Sequence, residues 1–283
     1  MSYTLIERAD FLKLYREQVL GEWDPYREYL LRYGEALYFK HELARLCNPR
    51  EIVELGVRAG YSMWAMMVSC PGARYTGYDF WKAHLEVESE SEEMQAKCLN
   101  HFAYLATTID SSRVVLHKVD TQGSTFRVAH ADLYHIDAAH TPAGCFTDIV
   151  NCIQSMDDDS LIVVHDYNAP NMRAPVKQAA ADFGLSLVAI SNEWGDAVLC
   201  KGEPPEWLIM LRHRWREWWH PHSLALATQV IEGPGFFQSC MEDLPEVIDV
   251  DEIHDGDEIL IKPGDTIVSD AGTIDVDELK GDE

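Results

Sequence analysis

The stretch Arg50-Glu-Ile-Val-Glu-Leu-Gly-Val-Arg-Ala-Gly-Tyr-Ser62 decides the fold. Ile52, Val53 and Leu55 form a short apolar run bounded by a glycine, the pattern of a buried parallel strand. The strand ends on Glu54, and the chain then turns through Gly56 and Gly60 into Tyr61–Ser69, a Met- and Trp-rich helical segment. Strand, glycine turn and helix N-terminus predict a nucleotide-type cradle. The glycines admit a ligand close to the backbone, the first helical N–H groups face it, and a carboxylate can grip ribose hydroxyls. Tyr75-Thr-Gly-Tyr-Asp79 reads as a second strand that also ends on an acid, which suits an adenosyl ligand held through its ribose diol.

Outward from this core, alternating strand and helix patterns continue. Arg113–Asp120, Ala131–Asp137 and Ser160–His165 read as further strands, and Leu185–Ile190 with Asp196–Cys200 as an antiparallel hairpin. Thr141–Met156 and Met172–Phe183 read as helices between them. The carboxyl ends of neighbouring parallel strands lie together, so Asp137, His140 and Asp166 are expected to converge. Two carboxylates with a nearby Asn or His can hold a divalent cation, and oxygen ligation suits Mg²⁺; the candidate ligands are Asp137, Asp166 and Asn168. His140 has an unperturbed pKa near neutrality and is the candidate general base.

Glu54-Leu-Gly-Val-Arg-Ala-Gly-Tyr-Ser62 resembles the first motif of class I S-adenosylmethionine (SAM) methyltransferases, with Arg58 where a middle glycine usually stands. His135-Ile-Asp-Ala-Ala-His140 and Val164-His-Asp-Tyr167 resemble the group that includes macrolide-sugar O-methyltransferases and cephalosporin-hydroxylase-like proteins. This resemblance implies an α/β, Rossmann-like seven-stranded methyltransferase sheet that binds SAM. It implies Glu54, Gly56, Gly60, Ser62 and Asp79 around the cofactor, and Asp120 and Gln122, in the polar turn after the third strand, near the adenine. It also supports Asp137 and Asp166 as metal ligands and His140 as base, although His165 stands where some relatives carry an acid.

The 283 residues are 47% apolar, enough for one large α/β domain with appendages. A net charge of −25 argues against nucleic acid as a partner. No run of 18 apolar residues suggests a membrane span, and the N-terminus lacks a signal pattern, so a cytoplasmic protein is expected. The seven cysteines (Cys47, Cys70, Cys98, Cys145, Cys152, Cys200, Cys240) contain no CxxC pair and read as scattered thiols.

Four regions are expected. Residues 1–46 form helices, either a cap over the cofactor pocket or a pair packed on the sheet edge. Residues 47–203 form the SAM-binding domain. Residues 204–240 are a Trp-rich helical segment that suggests an oligomer interface or a helix packed back on the core. Residues 241–283 hold 16 acids against two lysines and read as a small β appendage, with a hairpin around Pro263-Gly264. The expected activity is SAM-dependent O-methylation of a hydroxyl on a small molecule or sugar by a homo-oligomer. A hydroxylase-like or N-methylating relative on the same fold, and a non-catalytic subunit, stay open as alternatives.

Overall fold

A computed structural model describes residues 7–80, 92–169, 171–192 and 194–216, together with three short strands farther on. The chain divides into two compact units, Met1–Leu224 and Ala225–Glu283.

The first unit is built on a seven-stranded sheet. Its strands are β1 (Glu51–Leu55), β2 (Arg74–Asp79), β3 (Val114–Lys118), β4 (Leu133–Ile136), β5 (Leu161–His165), β6 (Leu185–Ile190) and β7 (Asp196–Lys201). Their order is β3-β2-β1-β4-β5-β7-β6; β7 is antiparallel to its neighbours and the others of the set β1–β5 run parallel. The chain order reverses between β1 and β4, which opens a crevice at their carboxyl ends. This is the α/β methyltransferase sheet.

Helices cover both faces. They are α1 (Arg8–Leu14), α2 (Arg27–Cys47), α3 (Tyr61–Ser69), α4 (Glu92–Ile109), α5 (Pro142–Ile153) and α6 (Arg173–Phe183). A further helix, α7, spans 206–216. One core cluster unites α1–α4 and α7 with one face of the sheet; the other unites α5 and α6 with the opposite face. β5 is buried along its whole length, as its four apolar residues require. At the edge, β3 exposes Val115, His117 and Lys118, and the two basic or titratable side chains discourage edge pairing.

The N-terminal helices belong to this core. Phe11, Tyr15, Leu37 and Phe39 are fully buried, and Phe11 packs against Trp64 of α3 with ring centroids 5.2 Å apart. Trp215 of the Trp-rich segment is buried against Phe39 at 5.3 Å, so α7 packs back on the core. Trp218 and Trp219 lie outside the described residues, as does Trp81. The cysteines described are free thiols, five of them buried. Among the described residues no helix is long and apolar enough to cross a membrane.

The second unit holds β8 (Val247–Asp249), β9 (Thr266–Ser269) and β10 (Gly272–Asp275), in the order β10-β9-β8. β9 pairs antiparallel with β10, Ser269 opposite Gly272, and parallel with β8. The hairpin that the sequence suggested around Pro263-Gly264, with its strand 258–262, lies outside the described residues.

Candidate active site

The carboxyl ends of β1, β2, β3 and β4 open into one cleft of about 500 Å³, a size that accommodates a small-molecule ligand. Gly56, Ser62, Asp79, Asp120, Gln122, Asp137, His140 and Asp166 all border it, and Gly60 caps the helix that forms its floor.

The glycine turn owes its shape to local sterics. Gly56 has φ +83°, and a Cβ there would meet the Asp137 carbonyl oxygen at 2.2 Å, so the first turn can pass close under β4 only as glycine. Gly60 also has φ +83° and begins α3. Between them Arg58 adopts φ +48°, a left-handed conformation that glycine would tolerate more readily. Its guanidinium compensates by a bidentate ion pair with buried Asp24, at 2.8 and 2.9 Å. Asp79 braces the same turn: its Oδ2 accepts from the Val57 and Arg58 N–H groups, each at 2.8 Å.

Across the crevice, Asp120 Oδ1 accepts from the Gln122 N–H at 2.9 Å, a local turn that presents both residues at the cleft. Thr141 caps α5 by accepting from the Gly144 N–H at 3.2 Å, and Pro142 follows in its first turn. That start fixes where His140 leaves the strand.

Asp137, His140 and Asp166 do converge: one ligating atom from each lies within 4.8 Å of the others. His140 Nε2 is 3.2 Å from Asp137 Oδ1 and 3.6 Å from Asp166 Oδ2. The hydrogen bond to Asp137 raises His140 to about 9, against the opposing effect of partial burial. Although burial opposes it, the charges of His165 and His140 hold the Asp137 carboxyl below the usual carboxylate range. Burial, with Asp137 as a like-charged neighbour, pushes Asp166 up. Asp166 is also held at φ +58°, a strained backbone for a non-glycine residue.

Two expected site residues stand elsewhere. Asn168 is not part of the carboxylate cluster: its Oδ1 accepts from Arg173 at 3.2 Å and its Nδ2 donates to the Asn192 carbonyl at 3.2 Å. Its backbone N–H is tied to the Trp194 carbonyl, which draws it toward the β6–β7 hairpin. Glu54 does not border the cleft. Side chains alternate along a strand, and Ile52 and Glu54 face the core under α2 and α3 while Val53 and Leu55 face the other side. There the Tyr75 hydroxyl donates to Glu54 Oε2, and His135 Nδ1 lies 2.8 Å from Oε1.

Three side chains that the motifs did not single out complete the site. Tyr33 of α2 borders the cleft, and its hydroxyl reaches Asp137 Oδ2 at 3.5 Å. Lys40, two turns along the same face, is buried with Nζ 3.4 Å from the Tyr33 hydroxyl and 3.4 Å from His165 Nδ1. Asp196 on β7 meets His165 Nδ1 at 3.0 Å, and His165 Nε2 meets Asp166 Oδ1 at 3.3 Å. A charged network thus runs from α2 to Asp137 and Asp166. An amphipathic helix with buried Tyr and Lys seven residues apart was the available signal.

This topology, with acids at the ends of β2, β4 and β5 around a glycine turn, is the seven-stranded arrangement that the sequence motifs lead one to expect. Residues 53–167 match the family described as a methyltransferase domain. Among curated proteins none matches the chain. Solved structures similar to it include the O-methyltransferase of tomaymycin synthesis from Streptomyces achromogenes, in complex with SAM. It is 16% identical over 71% of this chain and 94% of that one, with a TM-score of 0.47. A methyltransferase from Podospora anserina bound to S-adenosylhomocysteine is 12% identical over 69% of this chain and 88% of that one, TM-score 0.47. An O-methyltransferase from Bacillus cereus, with the same ligand, is 16% identical over 71% and 94%, TM-score 0.46. At these values the likeness adds nothing to the family match.

Proposed function

We propose that this cleft binds SAM and that the protein transfers its methyl group to a hydroxyl of a small molecule or sugar, assisted by a divalent cation such as Mg²⁺. The observation that supports it is the meeting of Asp137, His140 and Asp166 at one edge of a cleft whose other edge carries Asp79, Asp120 and Gln122.

The donor set fits a hard cation, since Asp137 and Asp166 offer carboxylate oxygens and no thiolate is in the cluster. Such an ion would polarise an acceptor hydroxyl and lower its pKa. The residues of the chain do the rest. Asp79, Asp120 and Gln122 hold the adenosyl half of the donor, while the Tyr33 hydroxyl and His165 fix Asp137 and Asp166. His140, half exposed, borders the cleft; a cation held by Asp137 and Asp166 would offset the carboxylate charge that raises it, leaving Nε2 neutral to take the hydroxyl proton. As the proton leaves, the acceptor oxygen attacks the methyl carbon, and the sulfonium sulfur departs with the C–S electron pair as S-adenosylhomocysteine. Placing these reactants in line is the main contribution of the cleft.

The test is incubation with SAM and Mg²⁺ against a panel of hydroxylated sugars and polyketides, read by mass spectrometry. A product heavier by one methylene that requires SAM, and that Asp137→Asn and Asp166→Asn both abolish, supports the proposal. Methylation unaffected by either substitution contradicts it.

A further inference from the structure

Asp148 takes no part in the steps above, yet it is a fully buried carboxylate on α5, directly behind the turn that carries Gln122. Its Oδ1 accepts from Gln122 Nε2 at 2.8 Å. The same Nε2 lies 3.4 Å from the Gly144 carbonyl oxygen and 3.3 Å from Thr121 Oγ1. Asn151, one turn along α5, donates to the Thr121 carbonyl at 3.1 Å, so helix and turn are fastened together. Burial pushes the Asp148 carboxyl up to about 6, against the pull of the Thr121 hydroxyl, the Ala139 N–H and the Gln122 amide. It is therefore ionised at pH 8.

An ionised carboxylate and a backbone carbonyl can only accept hydrogen bonds. Facing both, Gln122 must turn its NH₂ end toward α5, which directs its carbonyl oxygen away from the helix. Gln122 is exposed and borders the cleft. Among the described residues no donor meets that oxygen.

We propose that Asp148 is a positioning residue that sets the Gln122 amide, so that its carbonyl accepts from the exocyclic amine of an adenine and the site selects adenosyl over inosyl ligands. This rests on the assignment of the cleft to SAM. At the corresponding position adenine carries an amino group, a donor, whereas hypoxanthine carries a carbonyl oxygen, an acceptor. Opposite a fixed Gln122 carbonyl the second base would set two acceptors against each other, and the lost bond removes affinity. A carboxylate that merely stapled helix to turn would leave base preference alone.

The experiment is calorimetric titration at pH 8 of S-adenosylhomocysteine and S-inosylhomocysteine into the wild type, Asp148→Asn, Asp148→Ser and Gln122→Met. The wild type should prefer the adenosyl ligand by about tenfold, the worth of one hydrogen bond. Asp148→Asn is isosteric but can donate as well as accept, so it leaves only the longer Gly144 contact to set the amide and should lower the ratio; Gln122→Met removes the acceptor and should bring it to one. Asp148→Ser, smaller and uncharged, is read identically should the asparagine variant not fold. Retention of the wild-type ratio in the Asp148 variants overturns the inference and leaves the SAM assignment standing. A wild type that binds neither ligand overturns both.

Discussion

Lys40 Nζ stands 3.4 Å from His165 Nδ1 and 3.5 Å from Asp196 Oδ1, with all three side chains shut away from solvent. Through this contact α2 is bound electrostatically to β5 and β7, which carry His165 and Asp196. His165 is raised despite burial and the repulsion of Lys40, because Asp137, Asp166 and Asp196 surround it. The same cluster holds Asp196 below the usual carboxylate range although burial works against it.

Lys40→Met should therefore destabilise the protein by about 3–5 kcal/mol, the usual consequence of stranding one partner of a buried pair. The double variant Lys40→Met, Asp196→Asn removes both charges and should recover a large part of that loss. Urea denaturation measures both. A single variant as stable as the wild type would contradict the network.

Glu54 gives a contrary prediction about the cofactor. It is held by Tyr75 and His135 inside the core and does not border the cleft, so it is expected to serve the fold rather than the ligand. Glu54→Gln should lower the melting temperature while leaving the Kd for S-adenosylhomocysteine within about twofold, well under the 1.4 kcal/mol that a tenfold change represents. A large loss of affinity in a variant of unchanged stability would return Glu54 to the ribose site.

Much of this was legible before the fold was known, for stated reasons. β1, β4 and β5 are apolar runs punctuated by acids at their carboxyl ends, and parallel pairing brings such ends together whatever else the chain does. Asp137, His140 and Asp166 were accessible on that ground alone. Glu54 faces away from the cleft because one residue of strand register reverses the face a side chain occupies, and β1 extends to Leu55. Asn168 follows Asp166 by two positions, but a turn pinned to Trp194 and Gly195 directs it toward the hairpin, and no local pattern announces that contact. Tyr33 and Lys40 sat in a recognisable helix. Their roles depend on how α2 packs over α3, which is a tertiary matter.

His140 carries the clearest pH dependence. Its folded pKa of about 9 lies above the ordinary 6.5, so its charged form stabilises the fold fully below about pH 6.5, and that contribution is lost as pH rises through about 9. An NMR titration of the imidazole in the protein free of divalent cation should show the raised midpoint, and Asp137→Asn should bring it down toward the ordinary value. The stability difference between wild type and His140→Gln should shrink over the same window. A wild-type midpoint near 6.5 would remove Asp137 as its partner.

The most direct test of the account is calorimetric titration of S-adenosylhomocysteine into the wild type and Asp79→Ala. Asp79 ends β2 in the cleft and braces the glycine turn through two backbone hydrogen bonds, so its loss strikes both the ligand's seat and the shape of the turn. The account predicts wild-type binding with a Kd on the order of micromolar, about −8 kcal/mol, and its loss in the variant. Absence of binding to the folded wild type, or undiminished binding to Asp79→Ala, would contradict it.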